Sequence, residues 1–231
     1  MKALLEIFYQ PGKVFESLAD RRYAWVLPIL FDALLVLLIT ILVPHYIGRE
    51  NLTRQQLETF ASRMSPEQMQ AAIAQANTPA RIYMGYVFGV IGTILVLLVI
   101  SGALMAFAMM TSRTPRFGAM LSMVSIAYFP YWVVVTAMTA LILIASPDPT
   151  SMNASNLIAT NVGAFMNKAE TSKGLYSLMT SIDVLSFAEM FLLALGFSKL
   201  TKSNLGFGLA AMFGLWALYV ASKMGLSLLF G

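Results

Sequence analysis

The sequence predicts an all-α membrane protein with five transmembrane helices, a short N-terminal interfacial helix and short amphipathic helices in two outer loops. Of its 231 residues, 58% are hydrophobic and only 11% are charged, whereas soluble domains carry about 25% charged residues. Five segments each offer the roughly 20 apolar residues that cross a bilayer. Because these segments are continuously apolar, they indicate helices rather than the short alternating strands of a barrel.

The first element is a leader over residues 1–23, which precedes a membrane domain over residues 24–231. Val14, Phe15 and Leu18 form a small apolar face beside basic side chains. That pattern predicts an interfacial helix on an anionic inner leaflet. The apolar stretch that follows is too long for a cleavable signal, so we expect the first span to be a retained anchor.

The five predicted spans are residues 24–47, 82–110, 117–145, 176–197 and 205–230. The third contains Pro130, which removes a backbone hydrogen bond and predicts a kink. Tyr128 and Tyr131 flank this proline. We expect these aromatic side chains either to line a cavity at the kink or to pack within the bundle.

The two long loops also carry structural signals. The run SPEQ, Ser65–Gln68, has the serine, proline and glutamine of an N-terminal capping box. In the second loop, apolar residues recur on one helical face: Leu157, Ile158, Val162, Phe165 and Met166. Both loops therefore predict short amphipathic helices, which lie on the outer surface or cap the bundle.

The distribution of Lys and Arg predicts the orientation. Eight basic residues fall in the leader and two tight turns, and six are spread over the two long loops. Basic residues concentrate in short cytoplasmic segments. We therefore expect a membrane protein whose N-terminus is cytoplasmic and whose C-terminus is outside.

The fourth span carries a polar stripe. Asp183, Ser186 and Glu189 are spaced by three residues, so on one helix they fall within a 120° arc that should face neighbouring helices. A tight turn joins this span to the fifth, which places Lys223 within roughly 5 Å of the depth of Asp183. An Asp183–Lys223 ion pair is one interpretation; the other is that Lys223 extends to the outer surface.

Asp32, in the first span, is predicted to lie near the depth of Glu189. Two carboxylates that share a face would form a proton or cation site. The alternative is that Glu189 is protonated and hydrogen-bonded within the bundle while Asp32 is hydrated from the cytoplasm. The candidate intramembrane polar site is thus the set Asp32, Asp183, Ser186, Glu189 and Lys223.

Small residues predict where helices approach closely. In the fifth span, Gly206, Ala210 and Gly214 repeat every four residues. Such a row of small side chains lets two backbones come together.

The sequence offers no sign of an enzyme. It has no cysteine and one histidine, and it lacks nucleophile-elbow, phosphate-loop and metalloprotease motifs. We therefore predict no catalytic residue, no cofactor and no metal cluster, and the basic residues form no nucleic-acid patch. The lipid bilayer is the expected partner, together with protein partners or further copies of the chain.

Two stretches resemble a known family. IFYQPGKVFESLADRRYAWVLPIL contains Pro11, Phe15, Trp25 and Pro28, and SIAYFPYW contains a mid-span tyrosine and proline. These patterns are similar to those of prokaryotic Yip (Ypt-interacting-protein-like) membrane proteins. The cytoplasmic DLYGP motif of eukaryotic relatives is replaced by YQPGK, and their long N-terminal domain is missing.

The resemblance implies a five-span, non-enzymatic protein of the bacterial plasma membrane that organises membrane or recruits partners, in a role related to trafficking. The polar stripe supports a different class, a small transporter or channel with an intramembrane carboxylate site.

Overall fold

The computed structural model describes residues 2–18, 24–58, 64–111, 113–167 and 170–230. Within these ranges the chain forms ten α-helices and no regular strand. In chain order the helices are α1 Lys2–Glu6, α2 Pro11–Glu16, α3 Val26–Ile47, α4 Arg49–Leu57, α5 Pro66–Ala76, α6 Pro79–Ala108, α7 Phe117–Ala145, α8 Lys173–Met179, α9 Val184–Thr201 and α10 Leu205–Phe230.

Five of these helices are long and apolar enough to cross a membrane: α3, α6, α7, α9 and α10. The prediction of an all-α membrane protein with five transmembrane helices is therefore confirmed. The helices α7 and α10 begin and end at the predicted residues, and α3 and α6 lie within three residues of their predicted bounds. The helix α7 is the one that contains Pro130. It continues through Pro130 without interruption, although the proline cannot donate to the carbonyl of Ile126.

The fourth predicted span, residues 176–197, is not one helix. The chain forms α8, leaves the helical conformation at Thr180–Asp183, and enters α9 at Val184. Asp183 is the N-cap that begins α9, because its side chain accepts a hydrogen bond from the backbone N–H of Ser186 at 2.8 Å. An aspartate in extended conformation is among the strongest N-caps.

The apolar face predicted for the leader packs on protein. The helices α1 and α2 occupy the leader, and α2 packs against α9. Val14, Phe15 and Leu18 are at most 2% exposed. The apolar face that was expected to meet lipid is therefore covered by protein.

The capping box of the first long loop is confirmed. Ser65 accepts from the backbone N–H of Gln68, and the Gln68 side chain accepts from the N–H of Ser65. The second long loop also contains short helices, but in its described part they are the 3-10 helices Pro149–Ser151, Ala154–Asn156 and Val162–Phe165 and not α-helices.

The chain divides into two compact units. The first comprises residues 1–32, 94–133 and 159–231, and its core includes Phe15, Leu104, Met123 and Phe197, each fully buried. The second comprises residues 33–93 and 134–158. In it, Ile47 and Leu143 are fully buried, and the Gln55 side chain bonds the backbones of Met152 and Ala154 at 2.9 Å.

Within the first unit, the close approach of α9 and α10 depends on a glycine outside the predicted row. A Cβ at Gly208 would lie 2.5 Å from the backbone oxygen of Ala194, whereas a Cβ at Gly214 would meet nothing within 4 Å. Gly206 faces only Asn204 of its own turn. The predicted row Gly206, Ala210 and Gly214 is therefore not the contact that brings the two backbones together.

Candidate intramembrane polar site

The break between α8 and α9 is held by a loop from the same unit. The N–H of Val162 donates to the carbonyl of Ile182 at 3.0 Å, and the N–H of Val184 donates to that of Thr160 at 3.2 Å. The Thr160 hydroxyl also donates to the Asp183 carboxylate at 2.7 Å. These bonds satisfy polar backbone groups that the interruption leaves without helical partners.

Asp183 has a structural role in this arrangement. One of its oxygens caps α9 and the other accepts from Thr160. Ser186 takes part through its backbone N–H. The predicted stripe is therefore shorter than expected, because Asp183 lies at the start of α9 and only Ser186 and Glu189 lie on it.

The interpretation that pairs Asp183 with Lys223 is wrong. The Lys223 ammonium donates to the hydroxyls of Thr180 at 2.9 Å and Ser181 at 3.0 Å, and it makes no ion pair with a described carboxylate. Residue spacing places Lys223 within three residues of the depth of Asp183. On a continuous helix Thr180 lies on the same row as Asp183, whereas Ser181 falls on another face, so the sequence does not indicate this pair of hydroxyls as the partner of Lys223.

Trp216 completes the contacts around the break. Its indole N–H donates to the carbonyl of Ser181 at 3.3 Å. Two side chains of α10, Trp216 and Lys223, thus bond the non-helical residues between α8 and α9. The sequence gives no signal that either side chain contacts the break. The break itself does have a signal, because Asp183 directly before an apolar run is typical of a helix start.

Asp32 is the most deeply buried ionisable side chain of the predicted site. It lies on α3, its exposed fraction is 0%, and neither carboxylate oxygen has a hydrogen-bond partner among the described residues. The alternative in which Asp32 is hydrated from the cytoplasm is therefore not supported by its burial. A charge without partners in an apolar environment is strongly unfavourable.

Glu189 lies on α9 and is partly exposed. It is near enough to Asp32 for its charge to act on that carboxyl group, and Tyr128 on α7 is in the range of both carboxylates. That Asp32 and Glu189 share one face of the bundle stays a prediction.

Tyr131 lies one turn further along α7. It interacts electrostatically with Glu189, Asp183 and Tyr219, so α10 also contributes to the surroundings. Tyr219 was missed because a single tyrosine in an apolar helix carries no spacing signal. Within the described residues, no group of three or more His, Cys, Asp or Glu side chains is placed to hold a metal ion.

The fold and this site define the class: an all-α integral membrane protein with ionisable side chains among its apolar helices. No family model matches the sequence, and neither a curated protein nor a solved structure shows significant similarity to it.

Proposed function

We propose that this chain is a Yip-like, non-enzymatic integral membrane protein that organises the membrane around it through its leader. One observation carries the proposal: two of the leader residues on which the resemblance rests hold the leader's structure. Pro11 is the first residue of α2, and Phe15 is fully buried against the bundle. Both residues of the family-like pattern therefore have a structural role in the leader.

The docked leader presents a second apolar surface. Leu4 and Ile7 point inward and are at most 5% exposed, whereas Leu5, Phe8 and Tyr9 are 68%, 51% and 64% exposed. A short helix that is apolar on both sides suits a position between protein and acyl chains. Leu5, Phe8 and Tyr9 are the residues that we expect to contact lipid.

The test uses spin labels on the full-length protein in liposomes, which is simple because the chain has no native cysteine. A label at Leu5→Cys should be accessible to oxygen dissolved in lipid, and a label at the exposed Lys13→Cys should be accessible to a water-soluble relaxant. Vesicles with wild-type protein should also differ in diameter from vesicles with Leu5→Ser and Phe8→Ser. Equal water accessibility at both labels, or identical vesicles, would overturn the proposal.

A second candidate function is a small transporter or channel. The burial of Asp32 without a hydrogen-bond partner in the described structure favours it, because intramembrane carboxylates mark ion and proton pathways. The broken α8–α9 segment is also typical of transporters. Proteoliposomes should then show a cation or proton flux that Asp32→Asn and Glu189→Gln abolish and that the loop variant Asp148→Asn retains. Absence of flux in the wild type would exclude this function.

A further inference from the structure

Three elements of the first unit converge on one point of α9. A Cβ at Gly196 would lie 2.6 Å from Met123 Cγ and 3.1 Å from Phe15 Cδ1. The beginning of α7, the end of α9 and the helix α2 therefore meet there. A Cβ at Gly12 would lie 3.8 Å from Lys199 Cε, so the first turn of α2 also lies beside the last turn of α9. These contacts define one end of the first unit, the leader end.

Four exposed basic residues lie at the leader end. Lys13 is in the first turn of α2, Lys202 is the C-cap of α9, and Arg116 directly precedes α7. Arg113 lies three residues before Arg116, in the turn between α6 and α7, and all four residues are exposed. We call Lys13, Arg113, Arg116 and Lys202 the leader-end cations.

The described protein does not compensate the charge of the leader-end cations. Within the described part of the leader and of the turns that follow α6 and α9, the carboxylates are Glu6 and Glu16. Each already has a lysine partner, because Lys2 pairs with Glu6 at 3.5 Å and Lys199 pairs with Glu16 at 2.7 Å. No ion pair of the described residues includes a leader-end cation. This end therefore has a positive potential that attracts anions.

Apolar side chains are exposed beside these cations. Met109, Met110 and Phe117 are exposed in and directly after the turn that carries the two arginines. On the leader, Leu5 and Phe8 are exposed as well. A surface that is both cationic and apolar fits the boundary between lipid headgroups and acyl chains better than it fits an acidic soluble protein.

The length of α7 places its first residue at headgroup level. The helix has 29 residues, so it is about 43 Å long at a rise of 1.5 Å per residue. The hydrocarbon core is about 30 Å thick, and the headgroup regions extend the bilayer to about 40–45 Å. A helix of this length reaches from one headgroup region to the other. Arg116 and the cations around it therefore lie at the depth of lipid phosphates.

We propose that the leader-end cations together bind the headgroups of anionic phospholipids, so that this end of the protein selects anionic over zwitterionic lipid. The inference rests on the proposed function for the contact between leader and lipid, and it names the class of lipid. The exposed apolar side chains contact the acyl chains, and the four cations contact the phosphates.

The test uses the full-length protein in phosphatidylcholine liposomes that contain a trace of spin-labelled phosphatidylglycerol or spin-labelled phosphatidylcholine. The motionally restricted fraction of each labelled lipid measures its contact with the protein. We expect phosphatidylglycerol to associate about two- to fivefold more strongly than phosphatidylcholine. This preference should disappear at about 1 M NaCl, where the Debye length is about 3 Å.

Charge-neutral variants assign the preference to this surface. Arg113→Gln/Arg116→Gln should reduce it by at least about half, since two of the four cations are lost. The matched control is Arg81→Gln/Lys173→Gln, which neutralises two exposed residues in the first turns of α6 and α8 and should keep the preference. Glu16→Gln releases Lys199 from its ion pair and should increase the preference.

A second pair of variants covers a failure to fold. If Arg113→Gln/Arg116→Gln has no cooperative unfolding transition, Lys13→Gln/Lys202→Gln removes the other two cations. It should reduce the preference by the same proportion.

Equal restriction of the two lipids overturns the inference, and it is the result expected if the surface serves an acidic soluble protein. A control that loses as much preference as the leader-end variants overturns it too. A preference for phosphatidylglycerol with a water-accessible label at Leu5→Cys would keep this surface and overturn the proposed function. A lipid-accessible label with equal restriction of both lipids would keep the proposed function and overturn this inference.

Discussion

Lys199 donates to the carboxylate of Glu16 at 2.7 Å, across 183 residues of sequence. This ion pair joins the leader to the C-terminal end of α9. Both side chains are about half exposed, so the pair contributes little to stability. The attachment of the leader depends instead on the apolar contacts beneath it, and above all on Phe15.

Phe15→Ala should detach the leader. Truncation of a buried phenylalanine costs about 3–5 kcal/mol. This loss is large compared with the free energy that the remaining contacts of a six-residue helix contribute. Detachment is measured by thiol labelling of a Val14→Cys reporter, since the Val14 side chain is 2% exposed. Labelling should become fast in the Phe15→Ala background. Lys199→Ala is the control and should leave the reporter slow; fast labelling there would show that the ion pair, not Phe15, holds the leader.

Gly196→Ala should weaken the same attachment from the α9 side. A Cβ at Gly196 would lie 2.6 Å from Met123 Cγ and 3.1 Å from Phe15 Cδ1. Overpacking of this kind costs about 1–3 kcal/mol. Because Met123 is the neighbour that the new methyl group would meet, the double variant Gly196→Ala/Met123→Ala should lose less stability in thermal unfolding than the two single variants lose together. Gly214→Ala enters open space and should not lower the Tm.

Asp183 and Lys223 should behave as independent residues. Asp183→Ala removes the cap of α9 and should cost about 0.5–2 kcal/mol, whereas Asp183→Asn keeps a capping oxygen and should cost less. Lys223→Met removes the bonds to Thr180 and Ser181. In a double-mutant cycle on unfolding free energies, the coupling between Asp183→Asn and Lys223→Met should stay below about 0.5 kcal/mol. A favourable coupling energy above that value would instead support an ion pair between Asp183 and Lys223.

The hydroxyl of Ser65 controls the ionisation of Glu67. It donates to the Glu67 carboxylate at 2.7 Å and holds the pKa of that group below its ordinary value. The bonded carboxylate therefore favours the folded state above its ordinary pKa, and this contribution is lost as the pH falls through the lowered value.

Ser65→Ala should raise the Glu67 pKa, as measured by NMR titration of the side-chain carboxyl group. Asp148 provides the control, because the Thr150 hydroxyl lowers its pKa in another loop, and it should titrate as in the wild type. An unchanged Glu67 pKa would contradict the role of Ser65.

The sequence was sufficient for features that depend on neighbouring residues. Apolar length alone defined α7 to the residue, and the SPEQ spacing defined the cap of α5. The break before α9 was also a local feature. The continuous apolar character of residues 176–197 predicts a single span, and this pattern conceals the capping tendency of Asp183.

Features that depend on helix rotation were not predictable. The row of small residues on α10 was recognised, yet the contact with Ala194 falls on Gly208. Likewise, the apolar face of the leader was recognised, but not that α9 covers it. In both cases the partner surface is distant in sequence, and a single chain carries no signal for which rotation brings it close. Asp32 and Glu189 share a predicted depth, whereas the burial of Asp32 without a described hydrogen-bond partner required the structure.

The packing of the leader on α9 also has a consequence for membrane topology. A leader that packs on the C-terminal end of α9 shares a compartment with the turn that follows this helix, whichever way the chain is inserted. An orientation that inverts only one end of the first unit is therefore incompatible with this fold. An N-terminal reporter and a labelled Lys202→Cys should always report the same side, even in a population of mixed orientation.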